Sequence, residues 1–132
     1  MRSNRPIWIC GFWLAFITVT WLALTPEPPK EILAISDVFL HVSAFAVLTF
    51  LLAQVHFPTR LWWPMLLMAL YGPLIEVLQG AFFGRAAEMK DFGVDLIGTA
   101  IGICGFRLAG PKIDAALGKV LGFLSSLVGP GR

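Results

Sequence analysis

The sequence predicts an all-α integral membrane protein, built as a bundle of four membrane-spanning helices. Of its 132 residues, 58% are hydrophobic and 14% are charged, whereas soluble domains average ~45–50% apolar and ~25% charged residues. The mean hydropathy is +0.81. Disordered chains are rich in charge and poor in apolar residues, so this composition excludes disorder. A net charge of +2 from ten basic and eight acidic side chains forms no basic patch, so we expect no nucleic-acid partner.

Four apolar stretches are long enough to cross the ~30 Å hydrocarbon core of a bilayer, which takes ~20 helical residues. They are residues 7–24, 38–55, 61–83 and 92–108. The first stretch ends at the proline-rich segment 26–29, which cannot continue a helix. It is longer than the ~7–15-residue apolar region of a signal peptide, so we expect an uncleaved anchor.

The distribution of Lys and Arg predicts the orientation of the four spans, because cytoplasmic loops carry an excess of positive charge. With the N-terminus in the cytoplasm, the cytoplasmic side holds seven basic residues: Arg2, Arg5, Arg60, Arg107, Lys112, Lys119 and Arg132. The outer side then holds Lys30, Arg85 and Lys90. We therefore predict that both termini are cytoplasmic.

Residues 111–132 are predicted to form a cytoplasmic tail, separate from the membrane domain of residues 1–110. Apolar residues recur at helical spacing from Ile113 to Val128, and Pro111 suits the first turn of a helix. A fifth span is the alternative. The short length and the internal charges of Asp114 and Lys119 favour instead an amphipathic helix on the membrane surface.

Three pairs of polar residues lie within the predicted spans at a similar depth. They are Asp37 and His41, Glu76 and Gln79, and Asp91 and Asp95. In the predicted orientation the second and fourth spans begin outside with their Asp pairs. Glu76 follows Leu61 by fifteen residues, or about 22 Å of helix, so it also lies towards the outside. Ionisable residues at membrane depth are costly and mark functional sites.

Structural roles are the alternatives for single members of this group. Asp37 or Asp91 alone could be a favourable charge at a helix N-terminus, and His41 alone could form an interhelical hydrogen bond. Glu76 lies too deep to reach water comfortably, so it requires a partner or a proton. We therefore weight Glu76 most strongly as functional.

Glycine and proline residues predict two structural features. Gly98 and Gly102 form a small-residue face that lets the fourth span pack closely against a neighbour. Gly72-Pro73 removes a backbone hydrogen bond and predicts a kink in the third span, close to Glu76.

The ordered motifs resemble those of the VanZ-like family of small bacterial membrane proteins. They are Asp37-Val-Phe-Leu-His41, Glu76-Val-Leu-Gln79, Gly84-Arg85 and Asp91-Phe-Gly-Val-Asp95-Leu-Ile-Gly98. The resemblance extends from about Asp37 to Gly105. The sequence departs from the family pattern at Val38, where Lys is usual, and at Asp95, where many members have Asn.

This resemblance implies a protein of the bacterial cytoplasmic (inner) membrane that acts in the cell envelope, without an established reaction. The family is named for a member linked to resistance to the glycopeptide teicoplanin. A role in that resistance is therefore an expectation for this chain.

We predict a polar site on the outer side that binds or acts on a lipid-linked, anionic envelope ligand such as a cell-wall precursor. Glu76 would be the acid or base, and His41, oriented by Asp37, would carry the proton. Arg85 would hold an anionic group such as a phosphate. No cofactor is predicted.

The remaining predicted ligand-binding residues are Gln79, Asp91 and Asp95. Asp91 and Asp95 together could instead hold a divalent cation, for which carboxylate oxygens favour Mg²⁺ or Ca²⁺ over zinc.

Two other classes of function fit the same residues. Carboxylates and His in a membrane also mark proton relays, which suggests a small proton-coupled transporter. A structural or assembly protein would use the polar residues as interhelical contacts, each worth only ~0.6–2 kcal/mol.

Overall fold

A computed structural model describes residues 4–27, 29–33, 35–56, 60–83 and 89–129. This part of the chain is all-helical, without strands. It contains α1 (Arg5–Ala23), the short α2 (Lys30–Leu33), α3 (Asp37–His56), α4 (Trp62–Phe83) and α5 (Met89–Val128). Helices α1, α3, α4 and α5 are long and apolar enough to cross a membrane, which confirms the predicted number of candidate spans.

The largest difference from the predicted elements is the length of α5. We expected a span at 92–108 and a separate helix beginning at Pro111, but α5 is one helix of 40 residues. At 1.5 Å per residue it is about 60 Å long, roughly twice the hydrocarbon thickness. The structure therefore has no break between the predicted membrane domain and the predicted tail.

Glycine explains why both internal prolines are tolerated within helices. Pro73 lies inside α4 and Pro111 lies inside α5. A proline ring normally clashes with the Cβ of the preceding residue and forces it out of the helical conformation. Here Gly72 and Gly110 precede the two prolines, so the clash with a preceding Cβ is absent, which lowers the cost of continuing each helix.

Polar contacts place the N-terminus beside the middle of α5. The side-chain amide of Asn4 donates to the Asp114 backbone oxygen at 2.8 Å, and Trp8 Nε1 donates to Asp114 Oδ1 at 2.7 Å. Gln54, near the end of α3, donates to the Gly110 backbone oxygen at 2.8 Å. We call this the basic end of the bundle, because Arg5, Arg60, Arg107 and Lys112 lie on the same segments.

Contacts at the opposite end join the end of α1 to α4 and the start of α3 to α5. Gln79 on α4 donates to the Ala23 backbone oxygen at 2.8 Å, and His41 on α3 contacts Asp95 on α5. We call this the acidic end. Successive long helices therefore run in opposite directions between the basic and acidic ends.

The closest helix–helix contact joins α3 and α5 through glycine. A Cβ placed on Gly98 would lie 2.6 Å from the Val42 backbone oxygen, and one on Gly102 would lie 2.5 Å from the Ala46 backbone oxygen. Both distances are too short for any side chain. The predicted packing role of Gly98 and Gly102 is confirmed.

A mainly aromatic and aliphatic core fills the space between α1, α3 and α4. Its buried members are Phe45, Leu48, Leu52, Met68, Tyr71 and Ile75. Tyr71 packs against Phe16 of α1 and Phe45 of α3, with ring centroids 5.0 and 5.7 Å away. This core fixes the position of α4 relative to α3.

We predict that Gly102→Ala destabilises the protein by about 1–3 kcal/mol, because the new methyl group must displace the α3 backbone. Gly93→Ala is the matched control, since a Cβ on Gly93 of the same helix meets nothing within 4 Å. The measurement is the free energy of unfolding of the purified protein in bicelles. Equal destabilisation by the two substitutions would contradict the close contact between α3 and α5.

Candidate functional site

A hydrogen-bonded histidine–aspartate pair lies at the acidic end of the α3–α5 contact. His41 Nδ1 is 2.8 Å from Asp95 Oδ1. The Asp95 side chain is 4% exposed and that of His41 is 19% exposed. A carboxylate only accepts hydrogen bonds, so Nδ1 donates and, in the neutral imidazole, Nε2 has the free lone pair.

The carboxylate that orients His41 in the structure differs from the predicted one. Asp37 was expected to do so through their i, i+4 spacing, but its Oδ1 lies 3.8 Å from His41 Nε2 and its side chain is 75% exposed. That separation is too long for a hydrogen bond. Asp95 orients the imidazole instead, because the glycine contact brings the start of α5 against α3.

Asp91 completes a group of polar side chains around His41. One ligand-type atom from each of Asp37, His41 and Asp91 lies within 4.8 Å of the other two. Asp37 and Asp91 each occupy the first turn of a helix, where the helix dipole favours a negative charge. We call Asp37, His41, Asp91 and Asp95 the acidic-end cluster.

Gly72 gives Asp95 room against α4. A Cβ on Gly72 would lie 2.8 Å from Asp95 Oδ2, so a larger residue would displace the carboxylate. The sequence predicts for Gly72 only a role in the Gly72-Pro73 kink. Its closeness to Asp95 depends on the packing of α4 against α5, for which the sequence carries no local signal.

The pair Glu76 and Gln79 is divided between two sides of α4. Glu76 is buried and lies one turn beyond Gly72, on the side that faces α5. Gln79 lies on the side of Tyr71 and Ile75 and donates to the Ala23 backbone oxygen. The structure therefore assigns Gln79 a contact with α1, whereas Glu76 is buried on the same face of α4 as Gly72.

A cavity of about 290 Å³ lies between α1, α2, α3 and α4 at the acidic end. Its walls are mainly apolar and include Val19, Leu22, Ile32, Ala44, Phe45 and Ile75. The residues with polar side chains in its lining are Thr25, Asp37, His41, Tyr71 and Gln79. The Tyr71 hydroxyl and the Thr20 hydroxyl are 2.7 Å apart. The sequence does not predict Tyr71 as a site residue, because a single Tyr in the middle of a span is typical of packing.

The space beside the pair, towards the basic end, is filled where α3 meets α5. The backbone of α3 touches Gly98 and Gly102, and Thr49 and Thr99 are buried there. Such packing does not favour a water-filled proton path along this interface. The acidic-end cluster and the cavity therefore form a site at one end of the bundle.

The structure brings together four of the predicted site residues: Asp37, His41, Asp91 and Asp95. Gln79 lines the same cavity as Asp37 and His41. The position of Arg85 lies outside the described residues. The geometry supports two kinds of chemistry, acid–base work by the oriented imidazole and metal binding by imidazole and carboxylate ligands.

No family model matches the chain, and no curated protein or solved structure matches it. The resemblance to the VanZ-like family therefore stays a prediction that depends on the order and spacing of the four motifs.

We predict a double-mutant coupling energy of about 1–1.7 kcal/mol between His41→Ala and Asp95→Ala, the upper part of the range for interhelical polar contacts in membranes. The matched pair His41→Ala and Asp37→Ala should couple by about 0.5 kcal/mol or less, because Asp37 is exposed. Unfolding free energies of the single and double variants in bicelles give both values. Stronger coupling to Asp37 than to Asp95 would contradict the hydrogen-bonded pair.

Proposed function

We propose that this protein is a VanZ-like membrane protein that binds a lipid-linked ligand of the cell envelope in the cavity at its acidic end. The observation that carries the proposal is the composition of that cavity, in which apolar walls from four helices adjoin His41 and Asp37. Ligand sites are typically apolar with a few placed polar groups. An acyl or isoprenoid chain would occupy the apolar part and its head group would meet the cluster.

The size of the cavity is compatible with part of a lipid chain. Its volume of about 290 Å³ is close to the lower limit of ~300–1,000 Å³ for small-molecule sites. The remaining length of a lipid would stay in the bilayer, beside the exposed apolar faces of the helices. A lipid-linked ligand therefore fits better than a water-soluble one of the same head group.

We propose that the acidic end faces the outside of the bacterial cytoplasmic membrane. The basic end carries Arg5, Arg60, Arg107 and Lys112 on segments that the structure places together. An excess of Lys and Arg favours the cytoplasmic side. A site at the outer surface would meet envelope ligands, and the family resemblance extends this to a role in teicoplanin-type resistance.

We also propose that the helical residues 111–128 contact the cytoplasmic surface of the membrane. Val120, Phe123, Leu127 and Val128 are exposed in the structure. A straight α5 would carry these apolar side chains into water. A bend at Gly110-Pro111 would let them rest on the bilayer, because Pro is the usual site of a helix bend.

The cavity is tested by filling it. We expect a photoreactive alkyl phosphate, with a diazirine midway along its chain, to label the cavity-lining segments of α1 and α3 in nanodiscs. Ala44→Phe should reduce this labelling roughly fivefold or more, because the larger side chain occupies space that the alkyl chain would fill, and such a steric conflict costs about 1–3 kcal/mol. Ala44 lines the cavity.

Ala100→Phe is the matched control for the cavity, since Ala100 is exposed on α5, and it should leave the labelling unchanged. Labelling that is equal in the wild type and in Ala44→Phe would contradict ligand binding in this cavity. A folded, abundant Ala44→Phe variant that keeps wild-type teicoplanin susceptibility would contradict the resistance role.

The orientation is tested by single cysteines in a background with Cys10→Ser and Cys104→Ser. We expect Lys30→Cys to react with a membrane-impermeant maleimide in intact spheroplasts, because Lys30 lies at the acidic end. Ser125→Cys, near the end of α5, should react only after permeabilisation. The reverse pattern would place the acidic-end cluster on the cytoplasmic side.

A further inference from the structure

We propose that Asp37, His41 and Asp91 bind a first-row divalent metal ion, which holds the phosphate of the ligand. The identity of the ligand in this inference rests on the proposed function, whereas the metal site is inferred from the structure alone. It differs from the cation site expected at Asp91 and Asp95, because Asp95 is engaged with the opposite nitrogen of the imidazole.

The orientation of His41 is the first argument. Metal-binding imidazoles almost always donate their second ring N–H to a carboxylate or carbonyl, which fixes the ring and its tautomer. Asp95 accepts from Nδ1 at 2.8 Å and is buried. The lone pair of Nε2 is therefore left for an ion on the side of Asp37.

The spacing of the ligand atoms is the second argument. Asp37 Oδ1 lies 3.8 Å from His41 Nε2, and the three ligand atoms lie within 4.8 Å of one another. The 3.8 Å separation is too long for a hydrogen bond, whereas two ligands ~2.0–2.1 Å from one ion lie roughly 3–4 Å apart. A small closure of the exposed Asp37 side chain would complete the geometry.

Charge is the third argument. The described carboxylates of the cluster are Asp37, Asp91 and Asp95, so without a cation the cluster would repel an anionic head group. The helix dipoles explain each first-turn Asp separately, but they do not explain why both lie beside the same imidazole. A bound divalent ion would reverse the local charge and attract a phosphate oxygen.

The ligand set indicates which ions would bind. Imidazole nitrogen favours Zn²⁺ and other transition metals, whereas carboxylate oxygen also suits Mn²⁺. One imidazole with two carboxylates therefore favours Zn²⁺ or Mn²⁺ over Mg²⁺ and Ca²⁺, which take oxygen ligands. Three protein ligands would leave at least one coordination position for an oxygen of the ligand.

The test is a metal titration of the full chain in nanodiscs after treatment with a chelator. We expect one Mn²⁺ per chain by electron paramagnetic resonance, with ¹⁴N modulation from the imidazole, and one Zn²⁺ by calorimetry. His41→Gln should abolish the ¹⁴N modulation, and Asp91→Asn should weaken binding roughly tenfold or more. Asp95→Asn should weaken it by about 10–100-fold, as for other residues that position a ligand.

Glu27→Gln is the matched control, because Glu27 is an exposed acid between α1 and α2 that lies outside the three-residue group. It should bind both metals as the wild type does. Circular dichroism and thermal unfolding show which variants are folded. If His41→Gln does not fold, the loss of affinity in Asp37→Asn and Asp91→Asn decides the outcome.

Binding that is unaffected by His41→Gln and Asp91→Asn, absence of binding, or a preference for Ca²⁺ or Mg²⁺ would each overturn the metal site. The alkyl phosphate probe separates this failure from that of the proposed function. If labelling depends on Ala44 but is insensitive to chelator, the ligand cavity is supported and the metal site is contradicted. If the protein binds metal but the cavity is not labelled, the metal site is supported and the binding of a lipid-linked ligand is contradicted.

Discussion

The close contact between α3 and α5 is the constraint on which the arrangement of the site depends. Gly98 and Gly102 bring the two backbones so near that a single Cβ would collide with a carbonyl oxygen. This approach places Asp95 opposite His41. Interhelical polar contacts in membranes average only ~0.6 kcal/mol and reach ~1.7, so the pair cannot hold the helices together by itself. Packing positions the polar groups, and the polar groups remain available for binding.

The two sides of His41 have different surroundings, and this division determines what the site can do. Nδ1 is fixed by the buried Asp95, while the ring also borders the apolar cavity beneath Tyr71 and Ile75. Helix α4 also has two different sides. On one side Gly72 leaves room for Asp95, and on the other Gln79 contacts α1. A ligand in the cavity would therefore meet a preoriented imidazole without disturbing the contact between α3 and α5.

The sequence predicts the helices better than it predicts the partners of their side chains. Apolar length indicates the four long helices, and the spacing of Gly98 and Gly102 indicates a close packing face. The i, i+4 spacing suggested Asp37 as the partner of His41, but the register between α3 and α5 selects Asp95. Pro111 suggested a new helix, whereas the glycine before it lets α5 continue. The partner of His41 is decided by a contact between helices distant in sequence, so local patterns do not reveal it, whereas the continuation of α5 depends on the neighbouring Gly110.

The hydrogen bond between His41 and Asp95 can be measured directly in a bilayer by solid-state NMR. We expect a through-space correlation between His41 ¹⁵Nδ1 and Asp95 ¹³Cγ, with the Nδ1 signal that of a protonated nitrogen. Asp95→Asn, which keeps the side-chain size, should shift the Nδ1 signal. A missing correlation, or an imidazole signal that is unchanged in Asp95→Asn, would contradict the pairing on which the metal site depends.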